Sequence, residues 1–145
     1  MKQFRANNIS RKKDLVAQNV MSYGRVLVVD DMETSLYVAI GLLKPYKLNI
    51  ETANNGQEAV ALIKAGRVYD VIFMDHMMPE MDGIEATKHI RGLGYKNPII
   101  ALTANALTGQ ADVFMQNGFD AFISKPIDIR QLDMVLNKFI YDKQS

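Results

Sequence analysis

Val71-Ile72-Phe73-Met74-Asp75, followed by His76-Met77-Met78-Pro79-Glu80-Met81-Asp82-Gly83, is the stretch whose reading decides the fold. An apolar run ends abruptly in an acid and then in a proline-bearing loop, the pattern of a buried strand that delivers one carboxylate to an edge. Asp82, with Glu85 three residues on, can start the next helix by a reciprocal capping box. In an open parallel sheet ligands bind in the crevice outside the carboxyl ends of the strands. The remaining strands are therefore read for what they bring to the edge that holds Asp75.

Upstream, Val26 to Val29 is an apolar run ending in Asp30-Asp31, and Glu33 to Leu43 places Leu36, Ile40 and Leu43 on one helical face, stopped by Pro45. Leu48 to Ala53 reads as a more polar strand; Asn55 caps a helix with Glu58 three residues on, and Ala59, Leu62 and Ile63 face inward until Gly66. Downstream, a helix from Gly83 to about Arg91 ends in Gly92 and Gly94, and Pro98 to Leu102 is a fourth apolar run terminating at Thr103. A weaker helix from about Gly109 to Gln116 closes at Asn117-Gly118, and Ala121 to Ser124 is a short fifth strand leading into Lys125-Pro126. The last helix has Asp128 as cap, Gln131 at the capping-box position, and Leu132, Val135, Leu136 and Phe139 facing inward. Five strands alternating with five helices predict an α/β fold, a doubly wound five-stranded parallel sheet with helices on both faces and the flavodoxin-like strand order 2-1-3-4-5. No internal repeat or low-complexity segment interrupts it.

A chain of 145 residues suits one domain with a single core. Residues 1–22, locally basic at Arg11, Lys12 and Lys13, read as a polar linker or tail outside the core, 23–142 as the folded domain and 143–145 as a tail. The absence of cysteine excludes disulfides and thiolate metal sites. A net charge of +1 gives no footprint for nucleic acid or an anionic membrane. No apolar run approaches the roughly 20 residues of a membrane span, nor does the N-terminus carry the apolar core of a signal peptide, so the cytoplasm is the default location.

The strand ends carry Asp30 and Asp31, Asp75, Thr103 and Lys125. With the first and third strands adjacent at the switch point, three carboxylates meet in one crevice. Repulsion and partial burial would raise their pKa values unless a cation neutralises them, and an all-oxygen, carboxylate-rich site selects a hard ion such as Mg²⁺. Mg²⁺ sites are normally completed by phosphate oxygens. A Thr hydroxyl and a Lys ammonium can hold equatorial phosphoryl oxygens, which makes central Asp75 the candidate nucleophile and Asp30 and Asp31 candidate metal ligands, one through water. Bland readings stand beside these: Asp30 and Asp31 as a helix cap with a solvated neighbour, Thr103 as a β-branched strand residue, Lys125 as a surface lysine, Phe122 as core. His76 adjoins Asp75 but points away from it, since successive residues alternate, and His89 pairs on its helix with Glu85. Met77, Met78 and Met81 either pack the loop or form an adaptable docking surface.

Val28-Val29-Asp30-Asp31, Phe73-Met74-Asp75 with Met78-Pro79-Glu80-Met81-Asp82-Gly83, Ala101-Leu102-Thr103-Ala104 and Phe122-Ile123-Ser124-Lys125-Pro126 together resemble the phosphoacceptor receiver domains of two-component response regulators. The likeness covers about Gly24 to Ile140. It implies phosphorylation of Asp75 by the phosphohistidine of a sensor histidine kinase or a histidine phosphotransfer domain. It also implies Mg²⁺ held by Asp31, Asp75 and the backbone carbonyl of Met77, with Asp30 acting through water. Thr103 becomes the switch hydroxyl, Phe122 its aromatic partner and Lys125 the phosphate-binding ammonium, before a commonly cis Pro126. Such a domain is not an enzyme in its own right but assists its own phosphorylation and dephosphorylation. The outward faces of the fourth and fifth helices become the partner face, including for a homodimer. The wording of the motifs is most similar to receivers of hybrid sensor histidine kinases, and with no DNA-binding domain after Ser145 that origin is expected, a stand-alone regulator being the alternative. Phe122 departs from the Tyr that many relatives carry, and an apolar Met77 stands where others have polar residues; because the Met77 side chain cannot orient water, slow to moderate self-dephosphorylation is expected.

Two other classes fit less well. A haloacid-dehalogenase-type phosphatase separates its two acids by one residue, whereas Asp30 and Asp31 are adjacent and Met32 stands where the second would be. An FMN binder needs a Ser, Thr and Gly-rich phosphate loop after the first strand, where this chain has Asp31-Met32-Glu33-Thr34.

Overall fold

The computed structural model describes residues 19–104 and 110–144. Strands β1 (Arg25–Val29), β2 (Asn49–Ala53), β3 (Val71–Asp75), β4 (Ile99–Thr103) and β5 (Ala121–Ser124) form one parallel sheet in the order β2-β1-β3-β4-β5. Helices α1 (Glu33–Leu43), α2 (Gly56–Lys64), α3 (Gly83–Gly92), α4 (Gln110–Gln116) and α5 (Ile129–Leu136) make the connections. A π-helical turn, Asn137–Tyr141, and a 3₁₀ turn, Asp142–Gln144, continue α5. The expected start of the fourth helix at Gly109 lies outside the described residues.

Successive strand residues alternate between two cores. Val26, Val28, Val71, Phe73, Ile100, Leu102 and Ile123 face α1 and α5, meeting Leu36, Ala39, Leu132 and Leu136. Leu27, Val29, Ile72, Met74, Ile99 and Ala101 face the other way, against Ala59 and Ile63 of α2, Ala86 and Ile90 of α3, and Phe114 of α4. Because both faces are buried, strands β3 and β4 are closed from solvent at every position.

Several local expectations are refined. On α1 the buried stripe is Leu36, Ala39 and Leu43, with Ile40 half-buried. Glu33 is the sole charged residue of this helix, so its outward face also carries apolar Tyr37 and Val38 and hydropathy does not select the face. Phe139 and Leu62 are half-buried at the core margins. Asn55 Oδ1 accepts the Glu58 N–H at 2.7 Å, and Glu58 reaches back one residue further than its own cap, accepting the Asn54 N–H at 2.6 Å. Asp82 Oδ1 accepts the Glu85 N–H at 2.9 Å. Asp128 caps α5 through the Arg130 and Gln131 N–H groups. Gln131 does not act as the capping-box partner, because its Oε1 accepts the Ser124 N–H at 2.9 Å and ties the end of β5 to α5.

The stretch expected to lie outside the core as far as Met21 ends in a core residue. Met21 is fully buried beside Tyr46, Leu48 and Ile140, its N–H donates to the Tyr46 carbonyl at 2.8 Å, and Asn19 Nδ2 donates to Asn137 Oδ1 at 2.7 Å. Polar neighbours hide this anchor from a composition-based reading.

Candidate functional site

Strand parity and register assemble the site. Asp75 ends β3 opposite Leu102, and Thr103 ends β4 opposite Ser124. Counting by twos, Asp30, Asp75 and Lys125 continue the face of Val28, Phe73 and Ile123, the side covered by α1 and α5. Thr103 and Phe122 continue the opposite face, diagonal neighbours across β4 and β5. The crevice thus divides into a charged half and a hydroxyl–aromatic half.

In the charged half, Lys125 Nζ donates to Asp30 Oδ2 at 3.1 Å and to Asp75 Oδ1 at 3.1 Å. Asp30 is 2% and Asp75 5% exposed, while Asp31 stands out in solvent. One carboxylate oxygen from each of Asp30, Asp31 and Asp75 falls within 4.8 Å of the others, so the three fit around a single ion. Asp30 Oδ1 also accepts the Met32 N–H at 3.0 Å, an Asx turn that orients the acid at the mouth of α1. Asp30 does not cap the helix as the bland reading expects: the bond stops at Met32, the residue before the first turn, which has no side-chain cap.

Electrostatics point the same way. Burial raises the Asp75 carboxyl to about 6, against the opposing hydrogen bond from Lys125 and with further repulsion from Asp30 and Asp31. For Lys125, burial lowers the pKa, but the hydrogen bonds and charges of Asp30 and Asp75 outweigh it and the net shift is upward. One ammonium serves two buried carboxylates, and the uncompensated negative charge, presented by oxygens alone, suits a hard divalent cation.

The loop after β3 is tied at both ends by backbone hydrogen bonds. The His76 N–H donates to the Leu102 carbonyl at 2.9 Å and the Gly83 N–H to the His76 carbonyl at 3.0 Å. A Cβ at Gly83 would collide with the backbone oxygen of Asp75, so only glycine lets the start of α3 approach the acid this closely. Between these points Glu80 takes a left-handed φ of 68° and the Met81 N–H donates to the Pro79 carbonyl at 2.8 Å, a tight turn. The His76 ring lies away from the carboxylates, edge-on to Phe114 with centroids 5.0 Å apart. Met77 projects into solvent at 68% exposure, Met78 is buried and Met81 half-buried, so the three methionines divide between surface and packing.

Thr103 is 1% exposed. Phe122 is half-buried, tilted against Phe114 with centroids 6.2 Å apart. The Lys125–Pro126 peptide is cis. A cavity of about 190 Å³ beside Lys125 is lined also by Thr34, Ser35, Val38 and Ile127. Sequence reading gave no signal for these, since nothing local distinguishes them from other α1 and loop residues.

The sequence pattern of the response regulator receiver domain matches residues 26–137 of this chain. The two-component response regulator ORR41 of rice is 41% identical over 118 residues, which cover 79% of this chain and 93% of ORR41. Histidine kinases of Arabidopsis thaliana and rice are also similar, but the chain spans only 13 to 15% of their length. Among solved structures, the receiver domain of the histidine kinase CKI1 from Arabidopsis thaliana, complexed with Mg²⁺ and BeF₃⁻, is 37% identical with a TM-score of 0.66, covering 81% of this chain and 89% of that one. The receiver domain of Ssk1 from Saccharomyces cerevisiae, in complex with the histidine phosphotransfer protein Ypd1, belongs to a structure matched at 26% identity and a TM-score of 0.76, covering 87% of this chain and 92% of that one. With the sheet order, the acid-lined carboxyl edge and a match across most of its length in agreement, this chain belongs to the response regulator receiver domain family of two-component phosphorelays.

Proposed function

We propose that Asp75 is the phosphoacceptor, taking a phosphoryl group from the phosphohistidine of a sensor histidine kinase or histidine phosphotransfer domain. The observation that carries this is the Lys125 ammonium, bonded at 3.1 Å to both Asp30 and Asp75 within a cluster of three acids at the carboxyl edge of the sheet. An Asp75 oxygen attacks phosphorus in line as the bond to the imidazole nitrogen breaks, and the nitrogen leaves with the electron pair. Lys125 is placed to exchange its contact with Asp75 for a phosphoryl oxygen without leaving Asp30. Thr103, at the next strand end, supplies a hydroxyl to another oxygen.

Asp31, Asp75 and the backbone carbonyl of Met77 would hold Mg²⁺, with Asp30 through water; the fit rests on the oxygen-only cluster and its excess of negative charge. When bound, Mg²⁺ supplies neutralisation of phosphoryl and carboxylate charge. Thr103 and Phe122, sharing one face, form the switch, Phe122 filling the space that Thr103 vacates. In this reading the domain is a switch that assists its own phosphorylation and not a free-standing enzyme. We place it in a hybrid sensor histidine kinase on the wording of its motifs. The higher identity to the rice response regulator, 41% against 31 to 34% for the histidine kinases, favours a second reading, a stand-alone regulator. The outward faces of α4 and α5, where Val113, Met115 and Met134 are exposed, form the face for a partner or a second copy.

The test is intact mass after incubation with Mg²⁺ and a small acyl phosphate. One phosphate is expected on the wild type and none on Asp75→Ala or after chelation. A folded, Mg²⁺-binding wild type without an adduct would overturn the assignment.

A further inference from the structure

With nine methionines and no cysteine, thioethers are the sulfur groups of this chain that oxidants can reach. The fold sorts them: Met21, Met74 and Met78 are buried, while Met32, Met77, Met115 and Met134 are 56%, 68%, 52% and 69% exposed. Met115 and Met134 lie out on α4 and α5, whereas Met32 and Met77 each lie within two residues of an acid of the cluster.

Met77 follows Asp75 by two residues, so their Cα atoms are at most about 7.6 Å apart. The backbone of the intervening His76 is bonded at its N–H to Leu102 and at its carbonyl to Gly83, so Met77 follows a residue fixed at both ends beside the acid. We propose that Met77 is an oxidant-reactive residue whose conversion to the sulfoxide shortens the lifetime of the phosphoryl group on Asp75, a regulation that rests on the phosphoacceptor reading above.

With hydrogen peroxide as oxidant, a sulfur lone pair attacks one peroxide oxygen, an S–O bond forms, the O–O bond breaks and water leaves. Sulfur is oxidised by two electrons and the peroxide reduced by two. The product replaces an apolar thioether with a strongly dipolar S=O acceptor on the same flexible stem. A thioether at the mouth of the site holds water weakly; a sulfoxide oxygen accepts a hydrogen bond from a water and directs that water's lone pair toward the phosphorus. Hydrolysis of the aspartyl phosphate accelerates.

The experiment exposes the whole chain to limiting hydrogen peroxide, removes it with catalase, maps sulfoxides by peptide mass, then phosphorylates with Mg²⁺ and a small acyl phosphate. Adduct decay is followed by intact mass in wild type, Met77→Leu, Met77→Gln and Met32→Leu. Threefold or faster decay after oxidation is expected in wild type and Met32→Leu. The oxidant response should vanish in Met77→Leu, and Met77→Gln should decay rapidly without oxidant. Equal lifetimes before and after oxidation, or an undiminished response in Met77→Leu, would overturn the inference. An unoxidised wild type that forms no adduct sinks the phosphoacceptor reading itself, and this regulation with it.

Discussion

Asp75 is the residue on which the site's free energy turns, because it is buried beside two other acids with one lysine shared between it and Asp30. In the metal-free protein its carboxyl is raised from 3.8 to about 6, so it holds its proton more tightly than in the unfolded chain while remaining mostly ionised at pH 7. Between these values the folded protein binds the proton more tightly than the unfolded chain, and stability therefore falls as pH rises from about 4 to about 6 and levels off above. Asp75→Asn removes that penalty. With chelator present it should stabilise the fold at pH 7 by about 1–3 kcal/mol, and the difference from wild type should disappear near pH 4. Urea midpoints at a series of pH values measure both. At Met77, where an apolar side chain borders the acid, Met77→Asn should speed loss of the phosphoryl group by a factor of about two or more, read as adduct decay; an unchanged rate would show that water is oriented elsewhere. The acids, Thr103 and Lys125 were legible in the sequence because each ends an apolar run. The pairing of Lys125 with two of them was not, since it depends on strand register across residues far apart in the chain.

Among the elements, the junction of β3 with α3 has the least tolerance. Gly83 sits where a methyl group would enter the backbone of Asp75, whereas an added Cβ at Gly92, at the other end of the same helix, meets nothing within 4 Å. Gly83→Ala should cost about 1–3 kcal/mol by overpacking and slow phosphorylation, because the only relief is to push α3 or the Asp75 peptide aside. Gly92→Ala should instead be neutral or stabilise by up to about 1 kcal/mol. Thermal melts together with phosphorylation rates separate the two outcomes. Helix starts were readable at Asn55, Asp82 and Asp128, where a short polar side chain meets an N–H two or three residues on. Gln131 misled, since the same side chain that could close a capping box is drawn to the unpaired Ser124 N–H of β5 by tertiary proximity. On α1, apolar residues on both faces left Ile40 and Ala39 indistinguishable until the sheet lay against one of them.

The molecule as a whole is a sheet closed on two faces, with its charged crevice at one end and the Met21 anchor among Tyr46, Leu48 and Ile140. Met21→Ala should cost about 2–5 kcal/mol as a buried large-to-small change, and a chain starting at residue 26 should lose as much, which denaturant midpoints would reveal. Mg²⁺ at about 100 times its dissociation constant should stabilise the wild type by about 2.7 kcal/mol, with most of the gain absent from Asp31→Asn and Asp75→Asn. If phosphorylation throws the Thr103 and Phe122 face from one state to the other at ratios of 1:99 and 99:1, about 5.5 kcal/mol of differential interaction is required. Among the described residues no helix is long and apolar enough to cross a membrane. The alternation of apolar runs with amphipathic ones, the glycine and proline stops and the polar residues that end four of the strands are local patterns of side-chain chemistry, and from them the sequence alone determined the order of elements, the parallel sheet and the edge of the candidate site. The tertiary structure decided which acids share Lys125, that Thr103 and Phe122 lie across the sheet from them, that Gly83 must be glycine and that Met21 is core, because each depends on register and packing between residues distant in the chain.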